Sequence, residues 1–416
     1  MTRTFPLLAL CSWLPVVCAA GESPAPAGGA LPAGNGHEIA AAHCVTCHDS
    51  GRLVTPGYTR AGWQEVIEHM KKLGVVLSSD EQAVLTDYLA GSFPPQSQPA
   101  PQLIGGATQI SFREWPVATP GAFPHDPLAT ADGAIWYTGQ RASVLGRIDP
   151  RSGASREFPT SIPDSGPHGL TADAAGHIWF TANYAGYIGR LDPQSGEITA
   201  YRMPDPRARD PHTPVFDQSG VLWFSVQSAN MVGRLDPKSG AVRLIEVPTA
   251  HALPYGIAVS SKGVPFFAEF GSHRIGSIDP HTLTIHEYLL PEAAARPRRI
   301  AIDSHDVIWY TDYARGFLGR FDPANGAARE WASPGGPHSA PYGITVLEDT
   351  VWYSESGVTP NTLVRFDPKS GAFQSWPIPS GGGVVRNMMP TADHSGLVLA
   401  ESGAGRLALV EVLQAR

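Results

Sequence analysis

Residues 167–204 read P-H-G-L-T-A-D-A-A-G-H-I-W-F-T-A-N-Y-A-G-Y-I-G-R-L-D-P-Q-S-G-E-I-T-A-Y-R-M-P, and this layout fills most of the chain. It restarts at Pro124, Pro167, Pro211, Pro254, Pro297, Pro341 and, degenerately, Val385, so successive starts lie 43, 44, 43, 43, 44 and 44 residues apart. Each copy has four runs: an apolar stretch after the Pro, a run around a Trp, a Gly-Arg-apolar-Asp-Pro stretch, and an alternating run ending near a Pro. These are four short strands. Asp-Pro-x-Ser-Gly, at 149–153, 192–196, 236–240 and 367–371 with a variant at 322–326, sets Asp and Pro at the head of a type I turn and Gly where positive φ is needed. A four-stranded unit cannot bury both faces alone. Seven copies must pack face to face about an axis, which predicts an all-β, seven-bladed β-propeller.

Ring closure can be read independently. The seventh copy, residues 385–416, has 32 residues, enough for three strands and not for four. Residues 110–117 (I-S-F-R-E-W-P-V) resemble the fourth run of other copies, so pairing with the stretch around 407–412 would close the ring and remove a free edge.

With 416 residues, 44 Gly and 39 Pro, the chain has material for a large turn-rich domain and a small one. A formal charge of -8 without a basic run argues against nucleic acid or an anionic membrane surface as a partner. Residues 1–20 carry Arg3, an apolar run from Phe5 to Val17, then Cys18-Ala19-Ala20, the pattern of a cleaved secretory signal; a retained anchor is the alternative. The expectation is a periplasmic or secreted protein with no membrane contact after cleavage, beginning with a flexible segment at 21–35.

Export leaves Cys44 and Cys47 as the mature cysteines, inside Cys44-Val45-Thr46-Cys47-His48. This is the c-type haem attachment pattern: two thiols form thioethers to the porphyrin and the adjacent imidazole binds the iron. Zinc with His37 or His43, or a plain disulfide, are the competing readings. Trp63, Val66, Ile67, Met70 and Leu73 fall on one face of a helix over 60–74, and a second helix is expected from Ser79, capped with Gln82, to Leu89. Residues 36–92 thus read as a small all-α, cytochrome c-like domain carrying one covalent haem c. Met70 faces the core and is the candidate sixth ligand, against a packing role or another His; His69 is expected in water. The R-x-x-W-x-x-V-x-x-x-M-x-x-x-G-x-x-L spacing resembles haem domains appended to periplasmic quinohaemoprotein dehydrogenases. Residues 93–108 are Pro-rich, a tether expected to space this domain from the propeller at 109–416 without packing them.

The residue after each opening Pro is His125, His168, His212, Tyr255, Arg298, Tyr342 and Arg386, and the Trp run ends at Gly139, Ala182, Val226, Glu269, Asp312, Glu355 and Glu401. Both positions belong near the axis on one face, so the channel mouth is expected to be imidazole-rich on one side and carboxylate-rich on the other. A water-filled channel lined by hydrogen-bonding groups is the bland reading.

The repeated P-[HY]-G-[IL]-T, [IV]-W-[FY]-[TS]-[EDA] and I-G-R-[IL]-D-P runs over residues 109–416 resemble the virginiamycin B (streptogramin) lyase family. That resemblance implies a Mg-assisted elimination on a cyclic depsipeptide, by a His of the sixth copy and a Glu, a His and a second Glu of the seventh. Here those places hold Tyr342, Gly383 or Val384, Val385 or Arg386, and Glu401; a rotated catalytic set of His168, Asp210 and His212 is the substitute. Two functions compete: a haem c electron-transfer protein whose propeller binds a small-molecule or peptide-like substrate or a redox protein, and a lyase-like enzyme with possible Mg2+ and an accessory cytochrome. A non-enzymatic binding propeller is a third.

Overall fold

The computed structural model describes residues 31–45 and 57–413. Seven four-stranded antiparallel sheets form the ring. In six blades the strands follow chain order from the axis outward. The seventh is β1 (Gln109–Pro116), β28 (Arg406–Leu413), β27 (Gly396–Glu401) and β26 (Val385–Pro390), so the segment before the first repeat supplies the outer strand of the last blade. The pairing runs from Gln109↔Leu413 to Pro116↔Arg406, which closes the ring as the repeat arithmetic requires.

The repeated residues each have a structural job. Gly153, Gly196, Gly240, Gly326 and Gly371 all take positive φ in the Asp-Pro turns, and the Asp149 carboxylate accepts from Arg151 N. The third-strand Gly lies under a ring of the second strand: a Cβ at Gly189 would sit 2.1 Å from Phe180 Cζ and one at Gly146 1.9 Å from Tyr137 Cζ, so no larger residue fits. Each Trp is buried and stacks on the fourth-strand aromatic where one is present, as Trp179 on Tyr201 and Trp352 on Trp376. Blade faces then share their apolar clusters; Trp136 and Leu145 of the first pack with Leu170 and Phe180 of the second.

A β-bulge follows every opening residue of the innermost strands. In β2 (Pro124–Ala129), Pro124 pairs with Gly139 and Pro127 with Tyr137, so three residues oppose two on β3 (Ile135–Gly139). The bulge is pinned from the next strand by a hydroxyl. Thr138 Oγ1 accepts from Asp126 N and donates to His168 O of the next blade; Thr181, Ser225, Thr311 and Ser354 likewise donate to the carbonyls of His212, Tyr255, Tyr342 and Val385. Every mouth side chain so supported is held by a bond between blades.

Among the described residues three helices precede the ring: α1 (His37–His43), α2 (Arg60–Lys72) and α3 (Ser79–Ser92). The capping box of α3 is Ser78 with Glu81, one residue before the pair read from sequence, and Gly91 lies inside the helix. Trp63, Ile67, Leu85, Tyr88, Leu89, Phe93 and Ala40 form its core. Residues 93–108 do not space the helices from the ring. Pro99 O accepts from Thr359 N, and Ile104 and Gln102 bond the backbone and hydroxyl of Ser375, laying the segment on the sixth blade.

Candidate functional site

The seven residues after the opening positions meet at the axis, as their places in the repeat require. The imidazoles of His125, His168 and His212 stack at ring-centroid distances of 3.5 and 3.7 Å, and Tyr255 continues the arc 4.0 Å beyond His212. The Tyr255 and Tyr342 hydroxyls are hydrogen-bonded to each other, and the Arg298 guanidinium lies 3.7 Å over the Tyr342 ring. Arg386 completes the circle over Phe123 and Tyr342. All but the half-buried Arg386 are buried.

The axis is crossed, not open. Arg299 Nη2 reaches Asp126 Oδ1 at 2.8 Å from the opposite side of the ring, and the same oxygen lies 2.9 Å from His125 Nδ1. Both partners are almost fully buried, so a water-filled channel does not describe the described residues here. Sequence reasoning passed over Asp126 and Arg299, although a signal was present. The position after each mouth residue is Gly169, Gly256 and Gly343 in the even copies but Asp126, Thr213, Arg299 and Asn387 in the odd ones. The glycines are enforced by neighbouring backbone, since a Cβ at Gly169 would lie 2.2 Å from His212 O and one at Gly256 2.8 Å from Arg299 Cα. Where Gly is absent, the bulge turns a second side chain toward the axis.

The carboxylates at the Trp-strand ends lie elsewhere. Glu355 accepts from Ser333 Oγ, Gly335 N and Thr362 Oγ1, Asp312 from Arg296 N and Arg315, Glu401 from Ser380 Oγ and Glu269 from Ser272 Oγ. They brace loops and neighbouring strands instead of forming the acidic half of the mouth. Burial pushes Glu269 and Glu401 up to about 8. Asp210, buried and raised to about 6, is spent on Ser228 N and Oγ. The structure therefore brings His168 and His212 together while Asp210 is engaged elsewhere and Glu401 is tied to a loop of the seventh blade.

The electrostatics favour negative ligands over hard cations. Burial first, then Arg386 and Arg299, hold His125 well below its ordinary value, and burial does the same to His168, so both imidazoles are neutral. Three guanidiniums face one carboxylate, Asp126, which is already paired. Oxygen donors in number are what Mg2+ demands. The residues at the positions implied by the lyase resemblance, Tyr342, Gly383 or Val384, Val385 or Arg386, and Glu401, whose buried carboxyl is raised to about 8 and accepts from Ser380 Oγ, do not fit that ion.

The helical unit sits on this same face. Tyr184 Oη is 2.7 Å from His69 Nδ1, Arg141 Nη1 is 3.0 Å from Glu65 Oε2, and Lys72 Nζ is 3.3 Å from Asp164 Oδ1. Tyr184 and Arg141 lie in turns after second strands, and Asp164 in a loop leading to a first strand, all at the mouth. His69 is thus docked on the propeller and not in water; burial, reinforced by Arg386 and Arg141, lowers it to about 4.

Of the haem-attachment residues, Cys47 and His48 lie outside the described residues. Cys44 ends α1, half-buried against the helical core, and burial pushes its thiol up to about 11. Met70 is half-buried on α2. Among the described residues, Cys44 and Met70 are the ones that would hold a covalent haem.

Staphylococcus aureus virginiamycin B lyase has a similar structure at 23% identity and a TM-score of 0.67, covering 73% of this chain and 100% of that one. A catalytically inactive variant of the same lyase with quinupristin gives 22% identity, TM-score 0.67 and the same coverage. An extracellular domain of a two-component system protein from B. thetaiotaomicron matches at 15% identity and TM-score 0.55, over 74% of this chain and 43% of that one. No curated protein matches the chain. Over residues 102–366 the sequence matches the Virginiamycin B lyase family, and the chain belongs to that family.

Proposed function

We propose that this is an exported haem c protein in which a redox-active helical unit closes the mouth of a lyase-family propeller, and that the propeller binds its substrate or redox partner there. The docking of α2 on the ring face, through His69, Glu65 and Lys72, is the observation that carries the reading. Electron transfer needs the cofactor near the place where the partner binds, and a haem carried by the docked unit would meet that need without a second docking event. In this assignment Cys44 and Cys47 hold the haem, His48 binds the iron and Met70 is the sixth ligand. Bound haem would supply one-electron chemistry. The chain's own residues orient what enters: α2 walls one side, and the His, Tyr and Arg ring the other.

Family membership raises the elimination reading, but the mouth offers three guanidiniums where that reaction needs a hard cation. The propeller's role is accordingly assigned to binding. The test is maturation of the full chain in a periplasm competent for haem attachment, beside Cys44→Ala. One covalent haem per chain, lost in the variant, is expected. A colourless mature chain, or turnover of a streptogramin B with Mg2+ that is abolished in His212→Ala, overturns the proposal.

A further inference from the structure

We infer that the propeller axis binds a small carboxylate, held by the guanidinium edges of Arg298, Arg299 and Arg386 beside the hydroxyls of Tyr255 and Tyr342. The inference rests on the mouth being the propeller's binding place and is independent of the haem.

Arg298 is 8% exposed, and its Nε has no hydrogen-bond partner. Nη2 lies 3.4 Å from Tyr255 Oη, and its other close neighbours are ring faces: Tyr342 at 3.7 Å, Tyr313 at 4.3 Å, Phe270 at 4.9 Å and Tyr255 at 5.0 Å. The Nε atoms of Arg299 and Arg386 are also buried without a partner. Among the described residues neither Arg298 nor Arg386 forms an ion pair, and the pair of Arg299 is with Asp126.

A buried guanidinium without a counter-charge is destabilising. Aromatic faces offset part of this where the pair is desolvated. They act above the guanidinium plane, however, and leave the Nε–H donors of all three arginines without a partner. A carboxylate supplies acceptor lone pairs in that plane, at the right spacing for two parallel bonds. The close stacking of the ring, 3.5–4.0 Å between successive centroids from His125 to Tyr255, limits the ligand to a few atoms around its carboxylate. Arg386 is the least buried of the three guanidiniums.

A cation at His125, Asp126 and His168, whose donor atoms lie within 4.8 Å of one another, is the rival on the same axis. It would have to displace Arg299 from Asp126 and sit beside two further guanidiniums. The second rival is internal: Tyr342, faced by Arg298, Arg299, Arg386 and the Tyr255 and Tyr313 hydroxyls, could give up its proton and serve as the counter-ion.

The experiment is calorimetric titration of the full-length protein at pH 6.5 and constant ionic strength with acetate, acetamide and chloride. Saturable acetate binding is expected, with no binding of acetamide, weaker binding of chloride, and a loss of roughly tenfold or more in Arg298→Gln, as for a bond to a charged group. Arg386→Gln, on the less buried guanidinium, should lose affinity likewise and serves if Arg298→Gln does not fold. Acetate and chloride binding equally would place a simple halide there and overturn the carboxylate assignment. So would folded variants with unchanged acetate affinity, or absent acetate binding with a phenolate band at pH 7 that disappears in Tyr342→Phe. Haem content plays no part in these readouts, so failure here and failure of the haem reading are separable.

Discussion

Tyr184 Oη and His69 Nδ1 are hydrogen-bonded at 2.7 Å, joining the second helix to a turn of the second blade. Beside it stand the Glu65–Arg141 and Lys72–Asp164 pairs, both largely exposed. Exposed pairs contribute about 0.2–1 kcal/mol each and the hydrogen bond about 0.5–1.5 kcal/mol. Tyr184→Phe with Arg141→Glu should then weaken docking by about 1–2 kcal/mol, roughly tenfold in the undocked population. Limited proteolysis within residues 93–108 should quicken by a similar factor; an unchanged rate would mean these contacts do not hold the helices down.

The Arg299–Asp126 pair ties the fifth blade to the first across the axis. Arg299→Met strands the Asp126 carboxylate in a buried site and is expected to cost about 3–5 kcal/mol in urea unfolding. Adding Asp126→Asn should recover much of that loss, because no uncompensated charge remains. Additive losses in the double variant would show that the two side chains are not coupled.

Thr181 Oγ1 accepts from Gly169 N and donates to His212 O, so one hydroxyl fixes the bulge and the neighbouring mouth residue. Thr181→Val removes both of these buried bonds and should destabilise by about 1–3 kcal/mol. Thr199→Val, exposed on a fourth strand, should stay within about 0.5 kcal/mol of wild type.

Glu269 is buried, which raises it from the ordinary 4.5 to about 8 despite the Ser272 hydroxyl. Between those values the folded protein keeps a proton that the unfolded chain has released. Stability from this group is therefore full below about pH 4.5 and falls as pH rises toward 8. Glu269→Gln removes the titration, so its urea midpoint should gain on wild type between pH 5 and pH 8. A difference that does not change with pH would contradict the burial argument.

Much of the ring could be read from residues 167–204 and their repeats, including the closing strand, because turn chemistry and apolar alternation are local. The mouth was legible as a list of residues and not as an arrangement. Glu355 and Glu401 share the inner end of the blade with His125 and Arg298, but alternation along the strand sends their carboxylates to the loops. Asp126 and Arg299 reach the axis only because of the bulge, and their pairing joins residues 173 positions apart, which no local pattern encodes. The helices' seat was hidden for a related reason: proline content foretold a stiff segment, while its course depends on Ser375 and Thr359 of a distant blade.

The reduction midpoint of the proposed covalent haem, compared between the full-length protein and Tyr184→Phe with Arg141→Glu, tests most directly whether helices and propeller act as one unit. Docking excludes water beside α2 and sets guanidiniums near it, both of which tune a haem potential. The account predicts one haem per chain in both proteins and a shifted midpoint in the variant. Identical midpoints, with haem present in both, would contradict it.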